Sequence, residues 1–416
     1  MARYDAGEAG RVRQHADVPR ALVAILLFGG ISGLPNQLID ALLGTWLTKS
    51  GWSTQEVVRA GYVTLPYALK FLWAPLVDRY VPPLFGRRRG WLVLAQTAVA
   101  IACLGMAATG PEAGRWLLVC AACAALASAS IDLVVNGYAC EAVPSARLPA
   151  AAGLQVWGWR AASLCAATVV PLAVPVWGWS AAYAAGALAL GLGLIAVLLA
   201  PEPTHVQAPT SLRQAVMVPL LGFHGRFGLG GFGLLLAFVI TYRLADGVAG
   251  LFITPFLANR YPVEVLSWRG VSGLAGAGLG VALAGWLATR WRPATGLWVF
   301  GLAQALSNLA YLALGQGWLS GTGGLIVAVV IDNACAAAAA AAFVGFLMRL
   351  CTSSCAATQY ALLTAVAVLV PHALRELGGM SATVGWTWTW IITVLLGLPG
   401  LLLIPLVMKP ARLEQS

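Results

Sequence analysis

Asp132 stands near the middle of an apolar run that begins at Trp116 and closes with Glu141. The run is long enough to cross a bilayer. A carboxylate at that depth costs about 2.5–3.5 kcal/mol on insertion scales, so it faces a wet cavity or a partner rather than hydrocarbon. Such a group can exchange a proton with a solute path; the plain alternative is a hydrogen bonder inside a helix bundle. Asn136 follows one helical turn on and shares its face. It cannot titrate, so it offers hydrogen bonds to a substrate but carries no proton. Glu141 lies where the run nears water.

Three more aspartates, Asp40, Asp246 and Asp332, sit inside apolar runs and join Asp132 as candidate proton-coupling groups. Arg243 and Asp246 are three residues apart, the spacing of an intrahelical ion pair. The pair either holds its helix in place or couples to the path, and Tyr242 adds a polar handle beside it. Asp332-Asn333 opens a run of small residues to Ala342, which permits close helix packing or leaves space for a ligand. Arg160 lies in an apolar run with Gln155, Trp157 and Trp159; it meets an anionic ligand or pairs with a neighbouring helix. Lys70, near the end of a run, can snorkel to the interface and is a candidate gate residue.

A second cluster is Asp78-Arg79-Tyr80, followed by Gly86-Arg87-Arg88-Arg89-Gly90. Positive charge alone would be ordinary for a short loop, but Asp78 is a placed counter-charge. A gate built from Asp78, Arg79, Arg87, Arg88, Arg89 and Glu141 is the favoured reading.

These groups must be held by membrane helices. Of 416 residues, 60% are hydrophobic and 10% charged, and mean hydropathy is +0.82. Soluble domains carry roughly 25% charged residues, so the chain is an all-α polytopic membrane protein. Hydropathy places twelve spans at about 21–46, 57–77, 91–109, 116–141, 151–174, 180–200, 227–251, 266–288, 295–316, 322–347, 358–377 and 386–407. The net charge of +10 does not imply nucleic acid, because it gathers in alternate loops. One side receives Arg79, Arg87–Arg89, Arg147, Arg213, Arg290, Arg292, Arg349, Lys409 and Arg412; the other receives Lys49, Arg115 and Arg260. The positive-inside rule then puts both termini in the cytoplasm. Met1 to Arg20 lacks the apolar core of a cleavable signal, so the first span should be retained.

The polar stretch from Pro201 to Gly225 divides the spans six and six, as in two-halved secondary transporters. The expected parts are an N-terminal tail (1–20), one six-helix bundle (21–200), a linker (201–225), a second bundle (226–408) and a C-terminal tail (409–416). In that architecture spans 1, 4, 7 and 10 line the central cavity, by analogy with the fold. All four embedded aspartates fall on those spans.

No phosphate-binding glycine loop, nucleophile elbow or metal-ligand helix motif is present. His15, His205, His224 and His372 are scattered, and the eight cysteines sit mostly in apolar runs, where inert thiols are the better reading. No cofactor or metal is expected, nor an obligate protein partner. The partners are the bilayer, a small solute and protons. An enzyme would need a nucleophile or metal cluster. A non-transporting receptor is the third reading.

Several stretches together resemble the AmpG-like branch of the major facilitator superfamily: Gly30–Pro35, Leu65–Pro75, Asp78–Tyr80 with Gly86–Trp91, Ser130–Asp132, Tyr242–Asp246 and Ala357–Leu363. The resemblance runs over nearly the whole chain. It implies a bacterial inner-membrane importer, proton-driven, with Gln359 also near the substrate. Its best-known members import muropeptides; a shorter sub-branch imports ferric siderophores, resembling the pyochelin and rhizobactin permeases. The muropeptide importers carry a second aspartate where Asn136 stands, and a lysine near Arg269-Gly270. Asp40 has no counterpart, and the chain stops just after span 12, where those importers often have extra helices. These departures favour ferric siderophore import, with muropeptide import as the alternative.

Overall fold

The computed structural model describes the backbone of residues 2–412 except 53, 204–208, 259, 263–264, 266–267, 352–354 and 374–379. The side chains of Arg3, Arg11, Arg13, His15, His205, His372, Lys409 and Arg412 lie outside the described set. Every regular element among the described residues is helical. Backbone groups have no water to bond in hydrocarbon, so long apolar runs close their hydrogen bonds internally.

Each expected crossing has its helix. Helix α1 (Ala2–Gln37), a π turn (Leu38–Leu42) and α2 (Leu43–Lys49) form span 1. Helices α3 (Thr54–Ala60), α4 (Leu65–Leu69) and α5 (Ala74–Arg79) form span 2. Spans 3 and 4 are α6 (Arg87–Thr109) and α7 (Arg115–Ala142). Helix α8 (Leu148–Leu199) holds spans 5 and 6, and α9 (Leu212–Ala258) holds span 7. Spans 8 to 11 are α10 (Trp268–Ala288), α11 (Pro293–Gln316), α12 (Gly321–Leu350) and α13 (Ala356–Ala373). Span 12 is split into α14 (Met380–Leu395) and α15 (Leu398–Arg412).

Span 2 is broken for a covalent reason. Pro66 and Pro75 lack the N–H that would continue a helix, so each begins a new one. Short 3₁₀ turns at Gly61–Thr64 and Lys70–Leu72 fill the gaps. The linker differs from expectation: it is helical from Leu212 up to the break at Gly228.

Spans 5 and 6 turn at Gly178, whose φ of +79° only glycine adopts freely. Trp179 follows directly and stacks on Trp46, and Tyr183 stacks on the same indole one turn later. The second half repeats this device. Gly385 breaks the helix, and Trp386 and Trp390 pack against Phe256 at the end of span 7. The recurrence marks the two halves as copies of one plan. Trp390 is fully buried, while Trp388 is 61% exposed and fits a lipid-facing place.

Small residues bring backbones together. A Cβ on Gly29 or Gly33 would strike the carbonyls of Gln155 and Trp159 in span 5. Gly276 and Gly280 meet Val330 and Ala334 of span 10 in the same way. The halves touch along spans 5 and 8, where Trp157 packs on Gly278 and Thr168 on Gly270.

Candidate functional site

In the first half Asp132 is tied to three neighbours. Lys70 forms an ion pair with its Oδ2. The Ser32 hydroxyl donates to its Oδ1 at 3.3 Å, and Asn136 Nδ2 reaches Oδ1 at 3.3 Å. Gln155 Nε2 then donates to Asn136 Oδ1 at 2.8 Å. This string crosses spans 2, 1, 4 and 5. The break in span 2 places Lys70 inward, where it is 5% exposed. Lys70 is thus the counter-ion of Asp132 and does not reach the interface as a snorkelling side chain. Asn136, 2% exposed, is a strut between Asp132 and Gln155 rather than a substrate-facing amide. Asp132 itself keeps 24% of its side chain exposed.

In the second half Arg243 Nη2 and Asp246 Oδ2 lie 2.8 Å apart and remain half-exposed. Asp332 accepts from Tyr311 Oη at 3.0 Å and Ser307 Oγ at 3.4 Å. Gln304 Nε2 is 3.5 Å from Asp246 Oδ1. Arg160 of span 5 donates to Asn333 Oδ1 of span 10 at 3.3 Å, so a cation of one half reaches into the other. Arg160 also lies in the field of Asp246 and Asp332, and Tyr360 lies in the fields of both Asp132 and Arg243. The charges share one region between the halves.

Three expected site residues lie elsewhere. Tyr242 stacks on Phe343 with centroids 5.2 Å apart and donates to the Leu297 carbonyl, so it is core of the second half. Gln359 is 1% exposed and lies against Gly222. Trp157 fills the seam at Gly278. Asp40, in the π turn, is exposed and within the field of Tyr67.

At the end where spans 2 and 3 meet, Asp78 is fully buried. Its Oδ2 accepts from Thr358 N at 2.8 Å and Thr358 Oγ1 at 2.7 Å, in the first turn of α13. An aspartate of span 2 thus caps span 11 across the two halves, satisfying orphan donors and the helix dipole. Arg88 Nη2 joins Asp78 Oδ1 at 2.8 Å and Glu141 Oε1 at 2.6 Å. Arg87 Nη2 joins Glu141 Oε1 at 2.8 Å. Arg89 holds the end of span 6 through the Val197 and Leu198 carbonyls. Arg79 is apart from this network, over the Tyr80 ring.

Sequence reasoning missed two parts. Glu202, just after span 6, accepts from Arg88 N at 2.7 Å and Arg89 N at 2.9 Å, capping α6 from outside. Burial raises its carboxyl above the ordinary range. Gln304, Ser307, Asn308 and Tyr311 form the other. Their spacing puts four polar residues on one face of an apolar helix, a signal that was legible. Among the described residues no three His, Cys, Asp or Glu side chains gather to hold a metal.

Ion pairs gathered between two like halves built of long apolar helices fit a membrane transporter. The chain belongs to the major facilitator superfamily, whose family model matches residues 21–374. Among its relatives, the anhydromuropeptide permease of Escherichia coli is 34% identical over 93% of this chain and 79% of its own length. Putative transporter AmpG 4 of Rickettsia felis is 26% identical over 92% of this chain and 95% of its own. The fold is similar to the proton:xylose symporter XylE, with TM-score 0.66, 14% identity and 94% of each chain covered. It is also similar to a bacterial homologue of the iron transporter ferroportin, with TM-score 0.67, 13% identity, 94% of this chain and 99% of that one.

Proposed function

We propose that this transporter imports muropeptides, the anhydro-sugar peptides of cell-wall turnover, across the bacterial inner membrane. The carrying observation is the 34% identity to an anhydromuropeptide permease over 93% of the chain. This reverses the order of the two solute readings. The siderophore preference rested on Asn136, Arg269-Gly270, the unmatched Asp40 and the end after span 12; of these, Asn136 is bonded to Asp132 and Gln155 inside the bundle. Arg269 keeps a cation near span 8, and Arg160 and Arg243 add two more between the halves. Three guanidiniums suit a ligand with several carboxylates.

The two halves, 21–200 and 226–408, rock about this site. With both termini cytoplasmic, the Asp78–Thr358 latch closes the inner end, and the chamber loads from outside. Protonation of Asp132 releases Lys70 and biases the switch, with Asp246 and Asp332 as the second coupled pair. One charge moved through about 150 mV supplies about 3.5 kcal/mol, enough for roughly 300-fold accumulation. The test is uptake by proteoliposomes under an imposed proton gradient. Labelled anhydro-muropeptide should accumulate and ferric pyochelin should not. Accumulation of the chelate alone would overturn the assignment.

A further inference from the structure

An apolar slot lies between spans 5, 8, 9 and 10, at the end that carries Arg292 and Arg349. Leu287 and Phe300 wall it, and Ala341 and Gly345 carry too little side chain to fill it. Arg292 and Arg349 line the same slot. Neither is in an ion pair or side-chain hydrogen bond among the described residues, unlike Arg87, Arg88 and Arg89. Arg292 is also the N-cap of α11, so the positive end of a 24-residue helix adds to its field.

We propose that this slot binds one anionic phospholipid, its phosphate between Arg292 and Arg349 and an acyl chain along the apolar walls. Two uncompensated guanidiniums at the mouth of an apolar groove match a ligand with one anionic end and one hydrocarbon end. A water-soluble phosphate would leave the walls unfilled. A zwitterionic lipid brings its own ammonium to the arginines, which weakens the match. Basic pockets between spans are the recurring form of such sites. Pro149 of span 5 lines the slot beside residues of spans 8 to 10, and Gly345 packs on Pro149 and Ala152 across the halves. The lipid therefore touches residues of both halves, and its occupancy favours holding them together at this end.

The test is native mass spectrometry of the full chain with phosphatidylglycerol and with phosphatidylethanolamine of equal acyl length. Phosphatidylglycerol should be retained preferentially. Retention should fall about fivefold for Arg292→Gln or Arg349→Gln and about thirtyfold for both, from the usual worth of one basic residue at an anionic lipid. Ala288→Phe, at an exposed position on the slot, should lower retention with both arginines kept. Equal retention of the two lipids, or no loss in the double variant, would overturn the site. Competition by glycerophosphate as effective as by intact lipid would overturn the acyl part and leave a free-anion site. Thermal melting confirms that each variant is folded.

Discussion

Thr358→Val tests the latch with the smallest change available. The variant keeps shape and the backbone N–H bond to Asp78, and removes only the Oγ1 donor at 2.7 Å. Thr358 is 2% exposed and Asp78 fully buried, so water does not replace the lost bond. A hydrogen bond to a charged acceptor contributes about 1.5–3 kcal/mol. The bond joins span 2 to span 11, so parting the halves at this end would have to break it. Its loss should therefore raise the ratio of open to latched molecules by about 10- to 150-fold. Spin labels at the exposed Ser145 and Thr289, one on each half, would report that ratio as a longer-distance population in bilayers. Asp78→Asn removes the charge from both Thr358 bonds and should shift the population further. A distance distribution unchanged in both variants, with folding intact, would refute the latch.

Lys70→Met leaves Asp132 as an uncompensated charge and should lower stability by about 3–5 kcal/mol, seen as a lower melting temperature in detergent. Adding Asp132→Asn should restore most of it, while Asp132→Asn alone should fold but lose concentrative uptake. Gly137→Ala places a Cβ 2.7 Å from Arg88 Cζ, and Arg88 cannot retreat from Asp78 and Glu141. A loss of about 1–3 kcal/mol is expected in the same melt, whereas Gly191→Ala, with nothing within 4 Å, should be neutral or slightly stabilising. Because burial raises the Glu202 carboxyl, the folded protein holds this proton more tightly than the unfolded chain. Its contribution to stability is present below the ordinary carboxylate range and fades as pH rises through the raised value. Glu202→Gln should flatten that part of the pH–stability profile.

The spans were legible because oil imposes one rule on every residue in them, and so were the four aspartates that break the rule. The breaks at Pro66 and Pro75 were equally visible, yet their consequence was not. Only packing shows that the 3₁₀ turn points Lys70 at Asp132. Asn136, Tyr242 and Gln359 were misplaced for a shared reason. Each is a polar group in an apolar run, and sequence cannot distinguish a group facing solute from one bonded to a neighbour. Tyr242 spends its hydroxyl on the Leu297 carbonyl and Asn136 spends its amide on Asp132 and Gln155. The face of span 9 carries the opposite lesson. Gln304 Oε1 and both amide atoms of Asn308 are buried without a protein partner, on the face of span 9 that also carries Ser307 and Tyr311, which hold Asp332. A buried amide left unbonded costs about 1–3 kcal/mol, so this face is wet or changes partner when the halves move. Asn308→Leu separates the two: if the amide changes partner during transport, uptake falls while the melt holds, and if it only bonds enclosed water, uptake is unchanged.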